Sequence, residues 1–401
     1  MTCTLTSPAG SSTRPAPSVQ PIEAGWIDRG LDMCERALDV ALATDDAALA
    51  KAGASVAKVV AESAILLRIL HPHHRSDASV RLAARLAQVA VDPRTLAALA
   101  LHASASFELA VPYLVLHEQH RSARVDALLR TAFAARAAQG RELHPHRRLE
   151  RLWLLGMLTG RREITSDDVA GTVLAHEIDL LHGTRDDHYA FTHALMYATD
   201  FGRDPGGVPE AWKPRLIAQA RSALAGALDE DDYDLAGELL LTWPFLAVPA
   251  GPVESAALAV VRDVAKAVGT LPSLTLGLAD GAAGLDEGDA VVLSTYHTSF
   301  VFTALAALAP LVDWQPLAPG SACTPGASLA DRWPAGGRRP GWLTVPAAEL
   351  PADPLPLEAG LRRAVREHRL AEVAELLSQP GTPATPLTRQ ALDLVERLSL
   401  L

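Results

Sequence analysis

Apolar residues recur every three or four positions along nearly the whole chain, and almost nowhere do they alternate in twos. Leu31, Cys34, Leu38 and Ala41 share one helical face, as do Val56, Val60, Ala64 and Leu67. The same stripe predicts helices over 80–90, 93–116, 123–138, 149–158, 166–181, 187–199, 209–228, 233–244, 252–268, 288–308, 357–377 and 386–400. Ser166 with Asp167 and Asp168, and Asp186 with Asp187, are start signals, and Gly183 after His182 is a stop signal. Aromatic residues make up only 5% of the 401, too few for a sheet that relies on them for its pleated faces. The expected fold class is therefore all-α: antiparallel helical hairpins stacked as an α/α toroid or an irregular solenoid. No fixed-period repeat of the tetratricopeptide or ankyrin kind is present.

Four regions are expected. Residues 1–21 are rich in Ser, Thr and Pro and read as a disordered lead-in rather than a signal peptide. Residues 22–313 form the helical main domain, and residues 314–358, crowded with prolines, an irregular segment. Residues 359–401 supply terminal helices that dock back on the body. The uncharged run from Ala290 to Val312 is broken by polar residues from Ser294 to Ser299, which favours a buried helix over a membrane span. The net charge of −11 leaves no basic surplus for phosphates, so nucleic acid is excluded as a partner. A cytoplasmic protein with no membrane partner is expected.

Candidate chemistry concentrates in two stretches. In the first, Asp186 to Gly202, the residues Tyr189, His193, Tyr197 and Asp200 are spaced four, four and three and share one helix face. Leaving such groups buried without partners would cost about 1–3 kcal/mol each. They either form a hydrogen-bonded structural cluster or line a pocket. Asp200, at the helix end, is placed to orient a neighbour or bind an arginine. The second stretch is Ser294-Thr295-Tyr296-His297-Thr298-Ser299, where His297 lies inside an otherwise apolar helix. His193 and His297 are expected within roughly 10 Å of each other, one helix width, around a shared pocket.

Spacing argues against a metal. Cys3, Cys34 and Cys323 are widely separated and form neither a CxxC knuckle nor a disulfide framework. His71, His73 and His74 read as loop histidines, and neither His117 with His120 nor His176 with Asp179 is completed by a third ligand. No zinc and no cofactor are therefore expected. A P-loop, a dinucleotide fingerprint, a nucleophile elbow and H-E-x-x-H are all absent. Glu238 near Trp243, and Glu150 near Arg151 and Trp153, read as acids of buried Glu–Arg pairs.

The run Tyr189-x-x-Thr192-His193-x-x-x-Tyr197-x-Thr199-Asp200-Phe201-Gly202, with Tyr296-His297-Thr298 downstream, resembles an uncharacterised family of all-helical bacterial proteins. Some of its members accompany gene clusters for ribosomally synthesised, modified peptides, class V lanthipeptides among them. The resemblance spans roughly residues 150–310. It implies a tailoring role, most concretely thioether ring closure, with a precursor peptide or a partner biosynthetic enzyme as the binding partner. Lanthionine cyclases built on α/α toroids use a Cys/Cys/His zinc site, and this chain lacks those ligands. Catalysis would then fall to His193 or His297 as base, with a Tyr or Asp as acid. The competing expectation is a non-catalytic helical scaffold that binds the peptide or enzyme.

Overall fold

The computed structural model describes residue 22 and residues 25–101, 106–116, 121–135, 144–273, 285–315, 356–379 and 381–399. The lead-in over 1–21, most of the proline-rich segment and the pair His117 and His120 lie outside the described residues. Within them the protein is all-α, the one bridge of extended backbone being Ala250 against Trp314.

The helices are α1 (Gly25–Ala43), α2 (Asp46–Lys51), α3 (Val56–Leu70), α4 (Asp77–Val91), α5 (Pro93–Leu101), α6 (Ser106–Leu116), α7 (Ala123–Ala134), α8 (Pro145–Thr159), α9 (Ser166–Ala170) and α10 (Arg185–Ala198). They continue with α11 (Lys213–Asp229), α12 (Tyr233–Leu240), α13 (Thr242–Leu246), α14 (Pro252–Val268), α15 (Glu287–Leu308), α16 (Pro356–Arg366), α17 (Leu370–Leu377) and α18 (Pro386–Leu398). The helix expected over 166–181 is cut short. Thr172 donates to the carbonyl of Val169 and accepts from the amide of Leu174, opening a 3-10 turn at Val173–Ala175 instead. The caps also sit earlier than expected, by one residue at Ser166 and by two at Asp186. Thr165 and Thr184 are the N-caps, closing reciprocal capping boxes with Asp168 and Asp187.

α1 packs against α15, α3 and α4, and α3 packs against α6 and α15. Contact between the first and fifteenth helices closes the chain on itself. At that closure Gly30 lets the backbones approach, since a Cβ there would stand 1.7 Å from Thr303 Oγ1.

α15 is the one described helix long and apolar enough to cross a membrane, yet 78% of its apolar window is buried inside the protein. Its hydroxyls are spent locally. Ser294 and Thr295 donate to the carbonyl of Val291, Thr298 to those of Leu271 and Thr295, and Thr303 to that of Ser299. These serine and threonine hydroxyls are thereby buried in a core helix with partners, whereas the Tyr296 hydroxyl is buried without one. His297 reaches sideways to the carboxylates of other helices.

α10 is entered through a loop that distant side chains hold by its peptide groups. The Ile178 amide donates to Gln219 and the Leu180 amide to Gln390, while Gln390 and Arg362 donate to the carbonyls of Ile178 and Leu180. Arg362 on α16 lies over Gly226 of α11, where a Cβ would come within 2.4 Å of its guanidinium carbon.

Candidate functional site

Five helices converge on one cluster. α12 contributes Asp234 and Glu238, four residues apart and so on one face. α10 contributes Tyr189, Thr192 and His193, α15 contributes Tyr296 and His297, and α3 contributes Lys58 and Glu62. α8 closes the side with His146, Arg147 and Glu150. Between them lies a cavity of about 180 Å³ lined by His146, Glu150, His193, Tyr197, Glu238 and His297, among others.

Geometry around Glu238 organises the cluster. Its carboxylate is 1% exposed; one oxygen accepts from the Thr192 hydroxyl, and the other stands 3.7 Å from His193 Nε2 and 3.5 Å from His297 Nε2. Because both imidazoles reach the same oxygen, they lie well inside the roughly 10 Å expected from one helix width. Asp234 is arranged alike. One oxygen accepts from the Tyr189 hydroxyl at 2.6 Å and from Arg185 at 3.3 Å, and the other stands 3.5 Å from His297 Nε2. On the far side of the ring, Glu62 Oε1 is 3.1 Å from His297 Nδ1 and 3.8 Å from Lys58 Nζ.

Electrostatics follow from this crowding. Burial opposes the charged form of His297, yet Glu62 and Asp234 outweigh it and hold the imidazolium well above the usual histidine range. Burial pushes Glu238 up, but His193 and His297 more than offset it and keep the carboxylate ionised below its ordinary range. Asp234 goes the other way: burial and the neighbouring charge of Glu238 raise it, with His297 opposing. Tyr189 is raised by burial and by Asp234, and Tyr197 by burial and by Glu150, so both phenols stay neutral donors. His146, whose ring centroid is 5.6 Å from that of His193, is lowered to about 4 by burial and by the charges of His193 and Arg147. His193 differs from its neighbours in access. Its side chain is 35% exposed, whereas those of Glu238 and Asp234 are 1% and 7% exposed.

Of the residues singled out in the sequence, His193, Tyr197 and His297 line the cavity and Tyr189 supports it from behind through Asp234. Asp200 does not join them. The helix ends at Ala198, and Asp200 adopts a left-handed φ of 47°, which turns its carboxylate toward Arg68 and Trp153. Arg68 donates to both its oxygens at 3.1 and 2.7 Å, and the Trp153 indole donates at 2.7 Å. The arginine partner expected for Asp200 is thus present.

Glu238 is not half of a Glu–Arg pair; histidines and Thr192 surround it. Glu150 does meet an arginine, but it is Arg147 on its own helix at 2.6 Å, while Arg151 donates to the carbonyl of Phe133. Spacing along the chain did not bring one group of possible metal ligands into view. Ligand atoms of Asp234, Glu238 and His297 all lie within 4.8 Å of one another, a group able to hold an ion. Two of the three ligands are carboxylates, and a search for Cys and His spacing does not see them. The readable signal was Asp234 and Glu238, four apart in the otherwise apolar run Asp234-Leu235-Ala236-Gly237-Glu238-Leu239-Leu240, and Glu62 among Val59, Val60, Ile65 and Leu66.

Fold and site together define an all-α protein whose core opens on a His–carboxylate cluster drawn from five helices. The model of the family described as "Domain of unknown function (DUF6895)" matches residues 27–307, and the chain belongs to that family. That span includes every residue of the cluster. No curated protein matches the sequence, and no solved structure matches the chain.

Proposed function

We propose that the cavity is the active site of an enzyme working by general acid–base chemistry, with His193 as the proton-transfer group. The observation that carries this reading is a half-exposed imidazole at a cavity, backed by a fully buried carboxylate at 3.7 Å. A carboxylate behind an imidazole stabilises the imidazolium that forms when it takes a proton. Tyr197 is a neutral phenol on the same wall and supplies a hydrogen bond to developing negative charge. Glu238 holds His193 in position and does not itself exchange protons.

Within that chemistry the narrower proposal is thioether ring closure on a precursor peptide, in a cytoplasmic tailoring pathway. His193 takes the proton of a peptide cysteine, and the thiolate adds to the β-carbon of a dehydroamino acid. The resulting enolate recovers the proton at its α-carbon. One C–S bond and one C–H bond replace an S–H bond and a C=C π bond, with no oxidant or reductant.

The test is a dehydrated peptide carrying one free cysteine, incubated with the full chain and followed by iodoacetamide trapping and mass spectrometry. Alkylatable thiol should vanish with wild-type protein and persist with His193→Ala, whose melting temperature should stay close to wild type. Equal rates for the two proteins would refute the role of His193. A scaffold without catalysis would leave the thiol untouched in both.

A further inference from the structure

We propose that Asp234, Glu238 and His297 form a binding site for one divalent transition-metal ion of the zinc type, with its open coordination position facing the cavity. The proposal deepens the acid–base reading of the same cavity by adding a Lewis acid to it.

Three independent features of geometry point there. First, Asp234 Oδ1 and Glu238 Oε1 each stand 3.5 Å from His297 Nε2. Ligands held about 2.1 Å from a tetrahedral ion are separated by about 3.4 Å, so little movement is needed to receive one. Second, those same two oxygens are buried and have no hydrogen-bond partner, although both carboxylates are more than nine-tenths buried. Burying an acceptor unpaired costs about 1–3 kcal/mol, more for a charged group, and such a cost in a core usually has a purpose. Third, the two carboxylates are hydrogen-bonded from behind and the imidazole is flanked by a third. The Tyr189 hydroxyl holds the other oxygen of Asp234, the Thr192 hydroxyl holds the other oxygen of Glu238, and Glu62 flanks His297 Nδ1 at 3.1 Å. A carboxylate on the distal nitrogen of an imidazole fixes the ring so that its other nitrogen faces the ion.

Charge balance agrees. Glu62, Asp234 and Glu238 put three carboxylates around one imidazole, and Asp232 adds a fourth nearby. Arg185 pairs with Asp232 and reaches Asp234, while Lys58 reaches Glu62 at 3.8 Å. Two fixed cations, Lys58 and Arg185, thus face four carboxylates, and the cluster favours a further cation. The donor set selects the ion class. Nitrogen with two carboxylate oxygens and no thiolate suits zinc, manganese or ferrous iron, whereas calcium wants six to eight oxygens. Three protein ligands with one position left open is the arrangement of a catalytic rather than a structural site. His193, 3.7 Å from Glu238 Oε1, stands beside that position.

The experiment strips the full chain with EDTA, dialyses it against micromolar zinc and counts metal by elemental analysis, with cobalt absorption bands as a second readout. About one zinc per chain is expected. Glu238→Gln and Asp234→Asn should each weaken binding at least about 100-fold, and Glu62→Gln about 10- to 100-fold. Circular dichroism verifies that each variant is folded, and either of the first two suffices if the other is not. Wild-type protein holding no zinc refutes the site, as does a folded Glu238→Gln protein that binds like wild type. Zinc lost on His73→Ala but kept in Glu238→Gln would place the ion on the loop after α3 and also refute it. Because the probe is the ion alone, the outcome is separable from the role of His193. A metal-free protein that still closes rings would sink the metal site and leave the acid–base reading standing.

Discussion

Replacing Asp200 by alanine should destabilise the protein by about 4 kcal/mol, the sum of three losses. Arg68, only 16% exposed, loses both of its hydrogen bonds to the carboxylate. Breaking a fully buried pair costs about 3–5 kcal/mol, and partial exposure here reduces that to about 2. The Trp153 indole N–H loses its acceptor at 2.7 Å, worth about 1 kcal/mol. Alanine at a φ of 47° adds about 1 kcal/mol, because Cβ crowds the following carbonyl and no polar side chain compensates. Asn keeps the indole acceptor and tolerates the left-handed backbone, so Asp200→Asn should lose only about 1–2 kcal/mol. Urea denaturation followed at 222 nm reads both values. An Asp200→Ala protein within 1 kcal/mol of wild type would refute the account, as would an Asp200→Asn protein equally damaged. An Asp200→Ala protein of normal stability and no turnover would return Asp200 to the active site.

His193→Ala should change stability by less than about 1 kcal/mol, since the ring is 35% exposed and its contact with Glu238 is a long 3.7 Å; a larger drop in the urea midpoint would count against a catalytic role. Gly30→Ala should destabilise by about 1–3 kcal/mol despite alanine's better helix propensity, because Thr303 occupies the place of the new methyl; a stabilised protein would contradict the packing of α1 on α15. His188 is 2% exposed and lowered to about 4 by burial and by Arg362, with Asp187, Glu230 and Asp232 opposing. It stays neutral in the fold while the unfolded chain takes a proton near 6.5, so its stabilisation is complete above that pH and is lost as pH falls toward 4. The loss amounts to about 3 kcal/mol, and His188→Phe should flatten that part of the stability–pH curve; an unchanged curve would show that another group carries it.

Sequence periodicity was enough for the helices, because each buries an apolar stripe whose spacing survives in one dimension. It was not enough where a side chain competes with the backbone. Thr172 ended a helix that Val169, Leu174 and Leu181 would have continued, and no periodicity count weighs one hydroxyl against a turn. The half of the site on α10 and α15 was legible for the same reason as the helices: polar groups broke an apolar face at regular steps. Asp234, Glu238 and Glu62 broke theirs too. Their partners on other helices, however, are 45 to 235 residues away, and only folding brings them together. Asp200 shows the converse. Its spacing from Tyr197 put it on the shared face for as long as the helix was assumed to continue, and two left-handed residues, Asp200 and Phe201, turned it away.

The loop at Ile178–Leu180 ties the timing of the site to the order of synthesis. Its amides and carbonyls are satisfied by Gln219, Arg362 and Gln390. The last two emerge from the ribosome only after α10, α12 and α15 have all been made. A nascent chain can therefore collect every residue of the cluster while the approach to α10 still has unpaired peptide groups. The His–carboxylate centre would stay unlatched until α16 and α18 dock, which makes the C-terminal helices the final act of maturation rather than an appendage.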